Sequence, residues 1–203
     1  VGNNIQTHTE GESPFSYLVY KQVYDTDGAP IEGAFVDRNG DNIINDDDRY
    51  IHNDPYADVI MGLNADLNYK NWDLSVVTRG NIGNYAYNNV ASSSGHLRRA
   101  TENSILTNLH ANYLNTSFVE TTEKNLLSDH FVEDASFFKI DNITLGYRLD
   151  NVFKDVAFKF YGSVQNVLTI TSYEGLDPEI SGGIDNNFYP RPRTFVLGVN
   201  IDF

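Results

Sequence analysis

Cysteine is absent from the 203 residues. That excludes disulfide scaffolds, zinc–thiolate sites, iron–sulfur clusters and thiol nucleophiles. Positive charge is scarce: Lys and Arg total 14 against 28 Asp and Glu, a net charge of −14. A nucleic-acid binder needs a basic face to displace counterions from phosphates, so the charge argues against that class. It argues equally against docking on an anionic membrane surface through Lys and Arg. No run of about 18 apolar residues occurs, so no transmembrane helix is expected. A transmembrane β-strand needs only about 9–11 residues with alternate ones apolar, and this absence does not touch it. The chain opens Val1-Gly2-Asn3-Asn4, without a basic or an apolar leader region, and reads as an internal start.

What is present is aromatic and alternating. Tyr occurs 13 times and Phe 12 times, while Trp and Met occur once each. Segments 15–24, 58–69, 72–82, 137–149, 156–169 and 193–203 read as strands. In 58–69, Val59, Met61, Leu63, Ala65, Leu67 and Tyr69 share one face. Ile60, Gly62, Asn64, Asp66 and Asn68 share the other. In 193–203, Phe195, Leu197, Val199, Ile201 and Phe203 repeat the pattern. Lys70-Asn71 joins two strands as a tight hairpin flanked by Tyr69 and Trp72. Ser94 is placed to cap one helix within the long loop, at about 96–113, with Leu97, Ala100, Ile105, Leu109 and Tyr113 near one face.

Alternation of this kind has two solutions. In a soluble sandwich the apolar face is a core; in an outer-membrane barrel it faces lipid and the polar face lines a wet lumen. Loop lengths favour the barrel. Connections alternate long and short: 25–57, 70–71, 81–136, 150–155 and 170–192. Barrels have short turns at one end and long loops at the other. Tyr69, Trp72, Tyr147 and Phe158, near the short turns, suit an interfacial girdle. The fold class expected is all-β, about six antiparallel strands forming the C-terminal part of a large barrel.

The sharpest local motif spans Asp37 to Asp48, within an acidic loop at 36–50. Oxygen ligands fall at positions 1, 3, 5, 9 and 12: Asp37, Asn39, Asp41, Asn45 and Asp48, with the Ile43 carbonyl at position 7. This is the spacing of an EF-hand-type Ca²⁺ loop, in which a hard cation gathers carboxylate and carbonyl oxygens. Asn42 stands at the sixth position, where Gly is usual, and Asn tolerates the left-handed conformation required there. The five histidines are scattered without ligand spacing and read as exposed loop residues. No nucleophile elbow, phosphate loop or acid/base pair stands out, so no enzyme is expected.

Six pieces together resemble one family. They are Asp37–Asp48; Tyr69-Lys-Asn-Trp-Asp-Leu-Ser75; Gly83-Asn-Tyr-Ala-Tyr-Asn88; and Asp134-Ala-Ser-Phe-Phe-Lys-Ile-Asp-Asn-Ile-Thr-Leu-Gly-Tyr147. Gln165 to Glu179 and Tyr189-Pro-Arg-Pro-Arg-Thr-Phe-Val-Leu-Gly198 complete the set, with Phe203 at the end. Order and spacing resemble the SusC/RagA-like TonB-dependent outer-membrane transporters of Bacteroidota over roughly 15–203. The resemblance implies a fragment of a barrel of about 22 strands, with no plug domain in this chain. It implies as partners the remaining barrel and plug, a SusD-like lipoprotein lid, TonB–ExbB–ExbD, and outer-membrane lipid. The implied activity is import of oligosaccharides or peptides. Loops 81–136 and 170–192 then lie on the extracellular end with the calcium-type loop. Their aromatics Tyr85, Tyr87, Tyr113, Phe118, Tyr173, Phe188 and Tyr189 are candidates for stacking on substrate or meeting the lid. The competing class is a soluble calcium-binding β-domain, an adhesin or glycan-binding module.

Overall fold

The computed structural model describes residues 5–102, 106–153, 156–186 and 189–203. The strands, in chain order, are β1 (Gln6–Thr7), β2 (Ser16–Val19), β3 (Gln22–Tyr24), β4 (Pro30–Phe35), β5 (Tyr50–Ile51), β6 (Val59–Tyr69) and β7 (Trp72–Ile82). They continue with β8 (Tyr85–Asn88), β9 (Val132–Asp134), β10 (Phe137–Phe153), β11 (Val156–Thr171), β12 (Ile184–Asp185) and β13 (Thr194–Asp202). Three short helices, α1 (Asn89–Ser94), α2 (Tyr113–Thr116) and α3 (Glu123–Leu126), lie between β8 and β9. The chain divides into two compact units. One is the set 57–82, 136–172 and 190–203; the other is 1–56, 83–135 and 173–189.

The first unit is one antiparallel sheet of order β13-β11-β10-β7-β6. The register aligns apolar residues into rows across it. Leu67, Leu74, Leu145, Gly162 and Leu197 form one row; Tyr69, Trp72, Tyr147, Phe160 and Val199 form the next. Cross-strand neighbours of this kind stabilise a sheet pair by pair. Yet the face is uncovered: Leu63 is 66% exposed and Leu197 88%. The opposite face is polar and internally bonded. Arg79 Nε donates to Asp141 Oδ2 at 2.7 Å, and Lys159 Nζ lies 2.9 Å from Asp73 Oδ1. The Asp73 carboxylate lies across Gly146, where a Cβ would meet it at 2.5 Å. Arg148 pairs with Asp150 and Asp202, and Asn142 Nδ2 donates to Ser163 Oγ. The register shifts beside Asp141, and Asn166 opposite has φ of 53°. Arg193 closes that irregularity by donating to the Val167 carbonyl at 2.7 Å and the Asn166 carbonyl at 3.4 Å.

The Lys70-Asn71 hairpin forms as expected, with Tyr69 paired to Trp72 and Lys70 at φ 54°. The strand limits read from alternation hold within a few residues. Val59, Ile82, Phe137 and Thr171 all stand at one end of the sheet, as the pairs Val59–Ile82 and Phe137–Thr171 show. The long connections leave from that end.

The second unit gathers those long connections. Its core contains Ile5, Tyr17, Val19, Tyr20, Phe35, Tyr87, Phe118, Leu127 and Phe131. Three small sheets frame it, of order β1-β2-β5, β12-β8-β9 and β3-β4. The β3–β4 hairpin turns at Asp25–Gly28, where Asp25 Oδ1 accepts from the Asp27 and Ala29 amides.

Two expectations are corrected here. Segment 15–24 is not a sixth strand of the large sheet. It breaks into β2 and β3, and Ser16, Tyr17, Val19, Tyr20 and Gln22 are all buried. Burial on both faces is incompatible with a lipid-facing strand, and Phe15 enters at φ 61°. The helix at 96–113 does not form. Ser94 ends α1, which Asn88 caps by accepting from the Ala91 amide. The Leu97 and Arg98 amides donate instead to the Phe118 and Val119 carbonyls, so non-local pairing replaces helical bonds. Residues 103–105, including Ile105, lie outside the described residues.

Candidate functional site

The acidic loop is held by its own backbone amides. Asp37 Oδ1 accepts from the Gly40 amide at 2.7 Å and Oδ2 from the Asn42 amide at 2.8 Å. Asn39 Oδ1 accepts from the Asp41 amide, and Asp41 Oδ1 from the Ile43 amide. Asn45 caps the single turn Asp46–Asp48 by accepting from the Asp47 amide. Asp48 Oδ2 accepts from the Asn45 amide at 2.9 Å in return, a reciprocal capping box. Asp48 Oδ1 reaches back ten residues to the Arg38 amide at 2.8 Å. Asn42 has φ of 64°, the left-handed conformation expected at the loop's sixth position. The Asp48 side chain is fully buried. The Asn45 and Arg38 amides hold its carboxyl below the ordinary carboxylate value.

The donors are all hard oxygens, which suits Ca²⁺ rather than a softer metal. Both Asp37 oxygens and Asp41 Oδ1 accept one amide each and keep a second lone pair for a cation, whereas Asp48 Oδ1 accepts from both the Arg38 and Asn39 amides. Among the described residues, however, no group of three or more His, Asp or Glu side chains is placed to hold a metal. A cation here would therefore depend on the Asn39 and Asn45 amides and the Ile43 carbonyl as well as on carboxylates. Beside the loop, Tyr20 Oη donates to Asp46 Oδ1 at 2.9 Å, and Lys124 Nζ donates to the Ile44 carbonyl. A hollow of about 410 Å³ lies among Tyr20, Asp46, Arg49, Glu123 and Lys124.

The aromatic candidates separate by burial. Tyr87, Phe118 and Tyr173 are buried, and Tyr85 is partly buried against the same core. Their roles are in packing: Tyr87 Oη donates to Ser92 Oγ at 2.8 Å, and Tyr173 Oη to Asp185 Oδ2 at 2.8 Å. Tyr113 is half-buried, Tyr189 is 93% exposed, and Phe188 lies outside the described residues. The histidines are also more enclosed than expected. Only His8 is exposed; His96 is buried, and His52, His110 and His130 are partly so.

A cavity of about 170 Å³ joins residues that sequence reasoning did not single out: Asn88, Val90, His110, Glu174, Leu176 and Asp185. Glu133 stands next to it, accepting from Asn88 Nδ2 and the Glu174 amide, both at 2.9 Å. Burial pushes the Glu133 carboxyl above its ordinary value. These residues come from β8, α1, β9, β12 and two loops. No local spacing could have united them.

No protein-family model matches the chain. Individual proteins do. The TonB-dependent receptor SusC of Bacteroides thetaiotaomicron is 41% identical over the whole chain, which covers 21% of that receptor. The TonB-dependent receptor P3 of Formosa agariphila is 29% identical over 87% of the chain, which covers 19% of P3. The chain thus spans about a fifth of the length of the curated relatives it matches. Among solved structures, the RagAB peptide transporter aligns with 94% of the chain at a TM-score of 0.69 and 22% identity, over 23% of its own chain. The RagAB peptide importer in its closed-closed state aligns with 98% at 0.68 and 18% identity, over 25% of its own chain.

Proposed function

Because the chain is a barrel segment of a SusC/RagA-like TonB-dependent receptor, we propose that it forms the C-terminal part of an outer-membrane importer, and that it is not an enzyme. The observation that carries this is the uncovered two-faced sheet. Its apolar rows suit contact with lipid, and its salt-bridged polar face suits a wet lumen. Unpaired edges at β6 and β13 cannot stand in lipid and are completed by the receptor's other strands. A soluble domain would leave the same Leu and Phe rows in water. Fractionation of the full receptor tests the reading: it should stay with outer membranes until detergent is added. Recovery in the soluble fraction would sink it.

The import reading includes a SusD-like lipoprotein lid, energy from TonB–ExbB–ExbD, and oligosaccharide or peptide cargo. The relationship to SusC and the RagAB peptide transporter supports it. Exposed Tyr189, half-buried Tyr113, the cavity beside Glu174 and Asp185 and the hollow beside Tyr20 and Glu123 are features of the loop unit that could meet cargo or lid. Mass spectrometry of material retained by the purified receptor–lid complex distinguishes glycan from peptide.

Calcium belongs to the same proposal. Asp37, Asn39, Asp41, Asn45, Asp48 and the Ile43 carbonyl would hold Ca²⁺, and the ion would order 36–50 without entering transport chemistry. Support comes from the ligand spacing, the left-handed Asn42 and the all-oxygen donor set. Chelation should then expose the loop of the full receptor to protease, and Asp41→Ala should abolish that calcium dependence. A loop equally protected with and without chelator refutes the ion.

A further inference from the structure

The apolar face of the large sheet is not uniform. Gly162 interrupts the row that holds Leu145 and Leu197. A groove of about 500 Å³ opens there, walled by Trp72, Tyr147, Phe160 and Leu197. The groove is shallow and open, and its surface is almost wholly apolar. Its floor is backbone at Gly162, where an added Cβ would stand 3.3 Å from Leu197 Cδ2.

One rim of the groove is polar. Tyr69, Trp72 and Tyr147 occupy one row across β6, β7 and β10, next to the short turn. Trp72 and Tyr147 lie with ring centroids 4.6 Å apart. Neither phenol nor the indole N–H has a hydrogen-bond partner among the described residues. Lys70 lies in the turn itself, its Nζ 5.4 Å from the Tyr69 ring centroid, and makes no ion pair among the described residues. An apolar slot with a row of free donors and one cation at its end matches an amphipathic anion.

We propose that this groove holds a structural phospholipid, one acyl chain lying over Gly162 and the phosphodiester meeting Lys70 and the Tyr69–Trp72–Tyr147 row. The donor row spans two inter-strand spacings, about 10 Å. That is broad enough for a glycerophosphate with its ester carbonyls and too broad for a single carboxylate. The inference rests on the membrane reading above and adds to it a fixed lipid position. An ordinary annular lipid would exchange freely; this one is retained because chain and headgroup are gripped together.

The test uses the full receptor purified in mild detergent, with co-purifying lipid extracted and quantified by mass spectrometry. Gly162→Leu fills the slot and should lower bound phospholipid about tenfold, comparable to the loss of two buried methylenes. Gly62→Leu is the control, because it stands on the polar face and meets nothing closer than 3.8 Å. Should Gly162→Leu fail to assemble, Lys70→Glu carries the test on its own, with the same expected loss. Unchanged phospholipid in the slot or turn variant overturns the proposal. So does equal loss in the control, or recovery of free fatty acid in place of phospholipid. A receptor that leaves the membrane without detergent overturns the outer-membrane reading instead, so the two failures are distinct.

Discussion

Asp48 is fully buried yet stays ionised, because the Asn45 and Arg38 amides point at its two oxygens. Ionisation is favoured in the folded loop more than in the unfolded chain, so the folded value lies below the ordinary one near 3.8. The sign follows: the contribution of Asp48 to loop stability is complete above that ordinary value. It is lost as pH falls through the lower folded value. Asp48→Asn keeps one acceptor and cannot serve both ends of the loop. In chelator at neutral pH it should increase protease cleavage within 36–50 relative to the native receptor, and the native loop should approach the variant only in strong acid. Cleavage equal in both at neutral pH would remove Asp48 as the tie. Part of this was legible in the sequence. The spacing Asp37 to Asp48 and the tolerance of Asn42 for positive φ could be read directly, whereas the burial of Asp48 could not. Arg193 was less legible still. Its targets, the Asn166 and Val167 carbonyls, are more than twenty residues away and exist only because the register shifts there.

Alternation with period two located the long strands because each row faces a single environment along its whole length. In β10, Leu145 lies in an exposed apolar row, while its neighbour Thr144 bonds across the polar face to Ser163 Oγ at 2.9 Å. Arginine at these two positions separates the faces. Leu145→Arg in the full receptor should cost about 1–3 kcal/mol in denaturant unfolding from vesicles, because its row lies one step inside the aromatic row rather than at the midplane. Thr144→Arg should cost well under half as much, since the polar face already carries Arg79, Arg148 and Lys159. Equal costs would mean that the apolar face does not meet lipid. The same rule misread 15–24. Tyr17 and Val19 alternate with Ser16 and Leu18, but both sets meet protein, and Gln22 bonds to three backbone carbonyls inside the β3–β4 hairpin. A helical period at 96–113 failed for a related reason. Apolar spacing was present, but backbone donors at 97 and 98 had strand-like partners near 118.

At the scale of the whole molecule, the sequence's most useful signal was the alternation of long and short connections, since it set all the long ones at one end of the sheet. If the proposed lid lipoprotein is the partner, cysteines placed in the long connections, for example at Tyr113 and Tyr189, should cross-link to it in the full receptor. One placed at Asn71, in the short hairpin, should not. Cross-links confined to Asn71 would overturn both topology and function. What the sequence did not disclose is that these connections are not three independent loops. Segments 1–56, 83–135 and 173–189 fold into one unit with a common core, and Tyr17 Oη sits within 2.9 Å of the Tyr85 carbonyl and 2.8 Å of that of Gly183. A graft that swaps segment 1–56 alone between related receptors therefore removes Tyr17, Val19, Tyr20 and Phe35 from a shared interior, leaving Tyr87 and Phe131 against foreign neighbours. Chimeras meant to move specificity from one receptor to another should transplant the three segments together, and natural recombination is under the same constraint. Residues of 1–56 and 83–135 that meet in this core are therefore expected to change together rather than loop by loop.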